Sequence, residues 1–178
     1  MDAERLATLL SDAAAGEAAS ARSRERMLRR AAEEEATLVG TLLVWGEHGQ
    51  AVAVRTATGQ VHRGRVGAVG RDVVVVERDD RRHCLVSLSA IASVRARAPE
   101  HDTSGSQEAP LGVSMRSLLT ELAIERPRVQ VGALGFEGPV AGMLRSAGAD
   151  VATVVLDGGA ERMIIALDRI AEVVLLDL

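Results

Sequence analysis

The side chains of this sequence that could do chemistry are four histidines, one cysteine, two aspartates in repeated positions, a glycine triplet and a set of arginines. The histidines (His48, His62, His83 and His101) have no metal-ligand spacing with one another or with Cys84. They read as surface or loop residues. Cys84 falls in an apolar strand pattern with no neighbouring base, which predicts a small core side chain and not a nucleophile. Gly64, Gly67 and Gly70 could suggest a phosphate cradle, but such a loop needs a helix after it, with its N-terminus facing the phosphate. Here a β-branched run follows instead. Asp72 and Asp150 suit turns, where a short carboxylate satisfies backbone groups. The expectation is no catalytic residue, no cofactor and no metal, hence no enzyme.

The arginines are the remaining candidates. Arg55, Arg63, Arg65, Arg71, Arg78, Arg81, Arg82, Arg95 and Arg97 crowd into residues 51–98, which hold 4 acids and carry +5. Residues 1–50 carry −3 and residues 99–178 carry −6. Arg63 and Arg65, two apart on one strand, share a face. Arg55, Arg63, Arg65, Arg71, Arg81 and Arg82 are therefore the candidate nucleic-acid contacts, touching phosphates without reading sequence. No aromatic residue lies in 51–98, so base stacking is not available there.

The elements that must position these groups follow from composition and period. The chain has 178 residues, 47% hydrophobic and 26% charged, too apolar for a disordered chain. With one Trp (Trp45), one Phe (Phe136) and no Tyr, its core must be aliphatic. All 21 basic residues are Arg, the bias of a GC-rich bacterial genome. No apolar run reaches the roughly 20 residues that span a bilayer. The acidic first residues are unlike a signal peptide, and a single cysteine excludes an internal disulfide. A cytoplasmic protein is expected.

Residues 2–35 read as a helix, with Leu6, Leu9, Leu10, Ala13 and Ala14 at helical spacing and Gly16 as a point where it could split. A second helix is expected over 36–46. The period then switches to two: strands over 51–54, 61–69, 73–77, 84–88 and 91–96, with a charged hairpin loop over 78–82. The polar Pro/Gly/Ser stretch 98–112 reads as a linker, and a helix follows over 114–124 with Ser114 as its N-cap. The pattern then recurs. Gly64, Gly70 and Asp72 match Gly142, Gly148 and Asp150, and Leu88, Ile91 and Val94 match Leu167, Ile170 and Val173. The four glycines Gly64, Gly70, Gly142 and Gly148 and the two aspartates Asp72 and Asp150 are read as structural residues, the strand glycines marking bends.

A helix and five strands, with Gly64, Val66, Val69, Gly70 and Asp72 around the second strand and Leu88 and Ile91 after the fourth, resemble the Sm-like fold of the bacterial Hfq and eukaryotic Sm and LSm proteins. The second copy carries Gly142, Leu144, Ala147, Gly148 and Asp150, then Leu167 and Ile170. The resemblance implies a mostly β protein of two tandem Sm-like five-stranded barrels, SH3-like in type, each preceded by an α-helix. The expected units are an N-terminal helical segment (1–35), a first barrel (36–97), a linker (98–112) and a second barrel (113–178). Family members bind RNA through loop residues after strands two and four. Here Gly70 stands at the usual Asp position, Val74 replaces a common Asn, and Leu88 and Ser89 stand where Hfq has a Lys-His pair, so no RNA-contacting residue carries over. Family members also associate edge to edge. The expected function is a non-enzymatic assembly or adaptor protein working through protein contacts or self-association. The alternative is RNA or DNA binding by the Arg-rich first unit. Neither a membrane nor a small-molecule substrate is expected as a partner.

Overall fold

A computed structural model describes residues 3–96 and 112–177. Arg97, His101 and the linker up to residue 111 lie outside the described residues. Helix α1 (Ala3–Glu34) runs unbroken through Gly16, and its described side chains are exposed. One glycine costs a helix only about 1 kcal/mol, which the Ala-rich flanks offset. Helix α2 (Leu38–Glu47) begins at Thr37, whose Oγ1 accepts the Gly40 N–H at 3.0 Å, and buries Leu42 against the first set of strands. That set is β1 (Ala51–Thr56), β2 (Val61–Val69), β3 (Val73–Arg78), β4 (His83–Ser87) and β5 (Ile91–Ala96). Helix α3 (Met115–Glu125) opens on a reciprocal box in which the Ser114 and Ser117 side chains each bond the other's backbone N–H. It precedes β6 (Arg128–Ala133), β7 (Val140–Ala147), β8 (Val151–Leu156), β9 (Arg162–Ala166) and β10 (Ile170–Leu175).

The expected pair of separate five-stranded barrels is not what these elements build. The ten strands form one antiparallel sheet in the order β5-β1-β2-β3-β4-β10-β6-β7-β8-β9. The physical reason is at the centre. In neither half does the fourth strand pair with the fifth. Instead β4 of the first half takes β10 of the second, with Val86 opposite Glu172, Leu85 opposite Val173 and Cys84 opposite Val174. Two edges that would each leave a row of backbone groups unpaired satisfy one another.

The halves nevertheless repeat one another closely. β2 and β7 each carry a register shift at matching places, between Val66 and Ala68 and between Leu144 and Ser146, where one strand gains a residue and bends. Gly64 and Gly142 are needed for close approach, since a Cβ at either would collide with the carbonyl of Glu77 or Val155 on the next strand. Gly59 and Gly135 both turn at positive φ, 86° and 92°. Gly148 is less constrained than its partner Gly70. A Cβ at Gly148 would meet Val151 at an ordinary 3.5 Å, whereas at Gly70 it would lie 2.5 Å from the Val113 carbonyl.

Two apolar cores result, and each borrows from the other half. Leu85 of β4, 3% exposed, sits in the core built around Leu119, Val129, Val131, Leu144 and Val154. Val174 of β10 sits with Leu42, Val54, Val76 and Val86. Asp72 adds a third link. Its Oδ1 accepts the Met115 N–H at 2.7 Å, tying the start of α3 to the β2–β3 turn of the first half, while Arg71 N–H bonds Val113 O at 2.8 Å. The backbone carbonyls of Asp72 and Asp150 accept the N–H of Leu88 and Leu167, at 2.9 and 2.7 Å. No helix among the described residues is long and apolar enough to cross a membrane.

Candidate functional site

The strand period places Arg63 and Arg65 on the outer face of β2 and His62, Gly64 and Val66 on its inner face. Arg65 reaches the Gly49 carbonyl and, with Arg78, Arg81 and Arg82, lines a cavity of about 330 Å³ beside the β3–β4 hairpin. The same wall holds Glu77 and Asp79. Asp80 bonds Arg78 at 3.0 Å and lies 3.8 Å from Arg82. Burial raises the Asp80 pKa, but the Arg82 backbone N–H, the charge and hydrogen bond of Arg78 and the charge of Arg82 together outweigh it and hold the carboxyl below its usual range. The cluster is therefore partly neutralised from within. Arg55 on β1, Arg63 on β2 and Arg71 in the β2–β3 turn are exposed but do not line this cavity. Of the six candidate arginines, Arg65, Arg81 and Arg82 line this cavity.

His62 departs from the expected surface placement. It is 3% exposed on the inner face of β2. The Arg78 guanidinium faces its Nδ1 at 3.4 Å. A guanidinium only donates, so Nδ1 accepts and the ring proton sits on Nε2, which has no partner. Burial, helped by the Arg78 charge, lowers the His62 pKa to about 4, so the ring is neutral at pH 7. Alternation could have flagged it, because assigning Arg63 and Arg65 to the outer face puts His62 on the inner one. The other described histidines follow expectation: His48 and His83 are exposed, and His48 Nδ1 lies 2.7 Å from the Val44 carbonyl.

Glu172 of β10 was not singled out from the sequence. It is 2% exposed at the junction of the halves, and its Oε1 accepts the Thr58 hydroxyl at 2.7 Å from the β1–β2 turn. Thr58 in turn lies 2.8 Å from the buried Thr56 hydroxyl. A Cβ at residue 132 would overlap the Glu172 carboxylate, so Gly132 is what makes room for it. Gln60, His62, Arg78, Gln130 and Glu172 surround a cavity of about 150 Å³ there. Cys84, fully buried in β4, has its thiol pushed well above the usual range by burial, which suppresses the thiolate. Among the described residues, no group of three His, Cys, Asp or Glu side chains could hold a metal ion.

The sheet's outer strands are the other notable surface. Among the described residues β5 and β9 end the strand order, and each pairs on one side only. The repeat sets β9 against β4 and β5 against β10. β10 is buried along its whole length, whereas β5 is exposed or half-buried throughout. Leu85 is 3% exposed, but its counterpart Ile164 on β9 is 71% exposed. The same strands are thus covered at the junction and bare at the ends. Compared with known proteins, the chain matches no family model and no curated sequence.

Proposed function

We propose that this chain is a non-enzymatic assembly or adaptor protein that works through protein contacts at the open edges of its sheet. One observation carries the reading: among the described residues β5 and β9 have no strand on their outer sides, and β9 holds Ile164 in water at 71% exposure. A strand edge with an exposed apolar side chain is a template for another strand, with backbone bonds giving affinity and the side chain giving selectivity. A photo-crosslinking residue in place of Ile164, in cells that express the chain, tests it. Adducts with an identified protein at position 164, and none from the same residue at Met143 on the interior strand β7, are the expected result. No protein adduct at 164 would overturn the reading.

A second reading, nucleic-acid binding, has one observation in its favour. Arg63 and Arg65 are exposed on one face of β2, and Arg65 lines a cavity with Arg81 and Arg82 at the hairpin. It predicts binding to mixed RNA or duplex DNA that weakens steeply with salt and disappears in an Arg63→Glu, Arg65→Glu, Arg71→Glu variant. No binding at low salt would remove it.

A further inference from the structure

Where the two halves meet, two buried polar atoms have no partner. Nε2 of His62 carries the ring proton and donates to nothing among the described residues, and Oε2 of Glu172 accepts from nothing. These residues are 3% and 2% exposed, and both line the same cavity of about 150 Å³. A buried polar group without a partner costs stability, and a buried carboxylate costs most. We propose that this cavity is a binding site for a small free α-amino acid. The ligand's ammonium group lies on the Glu172 carboxylate, and its own carboxylate lies on the His62 Nε2–H and the Arg78 guanidinium. The site stands apart from the open edges of the sheet, so the edge-contact reading does not depend on it.

Three observations support it. The first is the division of the wall: the first half supplies the donors His62 and Arg78, and the second half supplies the acceptor Glu172. Arg78 has donors to spare, since Nη1 faces His62 Nδ1 and Nη2 bonds Asp80, while a guanidinium carries several more N–H groups. A ligand with a cation at one end and an anion at the other answers both sides at once. The second is size. The cavity has room for about five waters at roughly 30 Å³ each, which matches glycine or alanine and excludes a nucleotide. Gln60 and Pro139 are exposed at its rim, and His62 and Glu172 are its buried base. The third is the repeat. His62 lies opposite Val54, and the matching pair in the second half is Val140 opposite Val131. Glu172 lies opposite Gly132, and the matching pair in the first half is Ser93 opposite Arg55. The fold therefore forms without a histidine or a glutamate at these positions in its other copy. Buried ionic groups often stabilise no better than the apolar residues that could replace them, so packing does not account for the pair and ligand recognition does.

The test is titration calorimetry of the full chain with glycine and with L-alanine. Saturable binding of at least one of them at millimolar concentration is expected, together with a Tm that rises as the site fills, because the ligand binds only the folded chain. Acetate and methylammonium, which carry one end each, should bind at least about tenfold more weakly, the loss of one charge-assisted contact. Glu172→Gln keeps the shape of the side chain and removes its charge. It should weaken binding by at least about tenfold while its circular dichroism stays that of the parent. Should Glu172→Gln fail to fold, Gln130→Phe fills the cavity from a half-buried position and is expected to abolish binding. No saturable binding to the parent chain would overturn the proposal. So would binding unchanged in the variant, or acetate or methylammonium binding as well as glycine. A Tm that climbs with glycine without saturating, and equally in parent and variant, is exclusion of an osmolyte from the surface and would overturn it too.

Discussion

Leu85→Ala measures how firmly one half depends on the other. Leu85 is supplied by β4 of the first half but is 3% exposed inside the core of the second, opposite Val173. Truncating a buried leucine costs the transfer free energy of the lost atoms plus the cavity left behind, about 3 kcal/mol. For a chain of this size that lowers Tm by about 10 °C. Differential scanning calorimetry is the assay. A single transition is expected in both proteins, with calorimetric and van't Hoff enthalpies equal, because a side chain shared between cores forbids one half from melting first. Ile164→Ala, at the matching but bare position, should stay within about 0.5 kcal/mol of the parent. Two separate transitions in the parent, or a loss in Leu85→Ala no larger than in Ile164→Ala, would refute the argument that the halves share their interiors.

Three further outcomes are expected. Gly64→Ala drives a Cβ into the Glu77 carbonyl and must push β2 and β3 apart, at about 2–3 kcal/mol in urea unfolding. Gly148→Ala, with ordinary contacts and no positive φ, should be neutral within about 0.5 kcal/mol, although both glycines belong to the same repeat pattern. His62 has a folded pKa near 4 against 6.5 unfolded, so the unfolded state binds more protons between those values. Its contribution is complete above about pH 6.5 and is lost as pH falls toward 4, up to about 3 kcal/mol in all. Urea midpoints across that range should fall less steeply in His62→Gln than in the parent, and an unchanged slope would count against a buried neutral ring.

Much of the local structure was written in the period of the apolar residues. The switch from helical to two-residue spacing near residue 51 located β1, and Ser114 marked the start of α3. The recurrence of Gly64 and Gly142 pointed to the two places where strands come too close for a side chain. Alternation says which face of a strand turns inward, however, and is silent on which edge finds a partner. β4 and β9 have similar apolar patterns, yet Leu85 is covered and Ile164 is not. That is why two closed units were expected where one continuous sheet exists. The buried polar pair was hidden for a different reason. Glu172 occurs in an apolar run, and what allows it there is the missing side chain of Gly132 and the hydroxyl of Thr58, two residues far from it in sequence. The arginine candidates were chosen by segment charge, which carries no information about the acids Glu77, Asp79 and Asp80 folding in among them.

The place of β10 has a consequence for how the chain reaches its native form. It follows all nine other strands in sequence, yet it occupies the middle of the sheet, with β4 on one side and β6 on the other. During synthesis the first five strands are made and waiting while the residue that completes their core, Val174, is still to be added. Closing a contact between segments so far apart is slow, because the ordering of the intervening chain comes before any gain from the pairing. Through that interval β4 presents Leu85 on an open edge, the same invitation that β9 extends in the finished molecule, and a neighbouring nascent chain could answer it first.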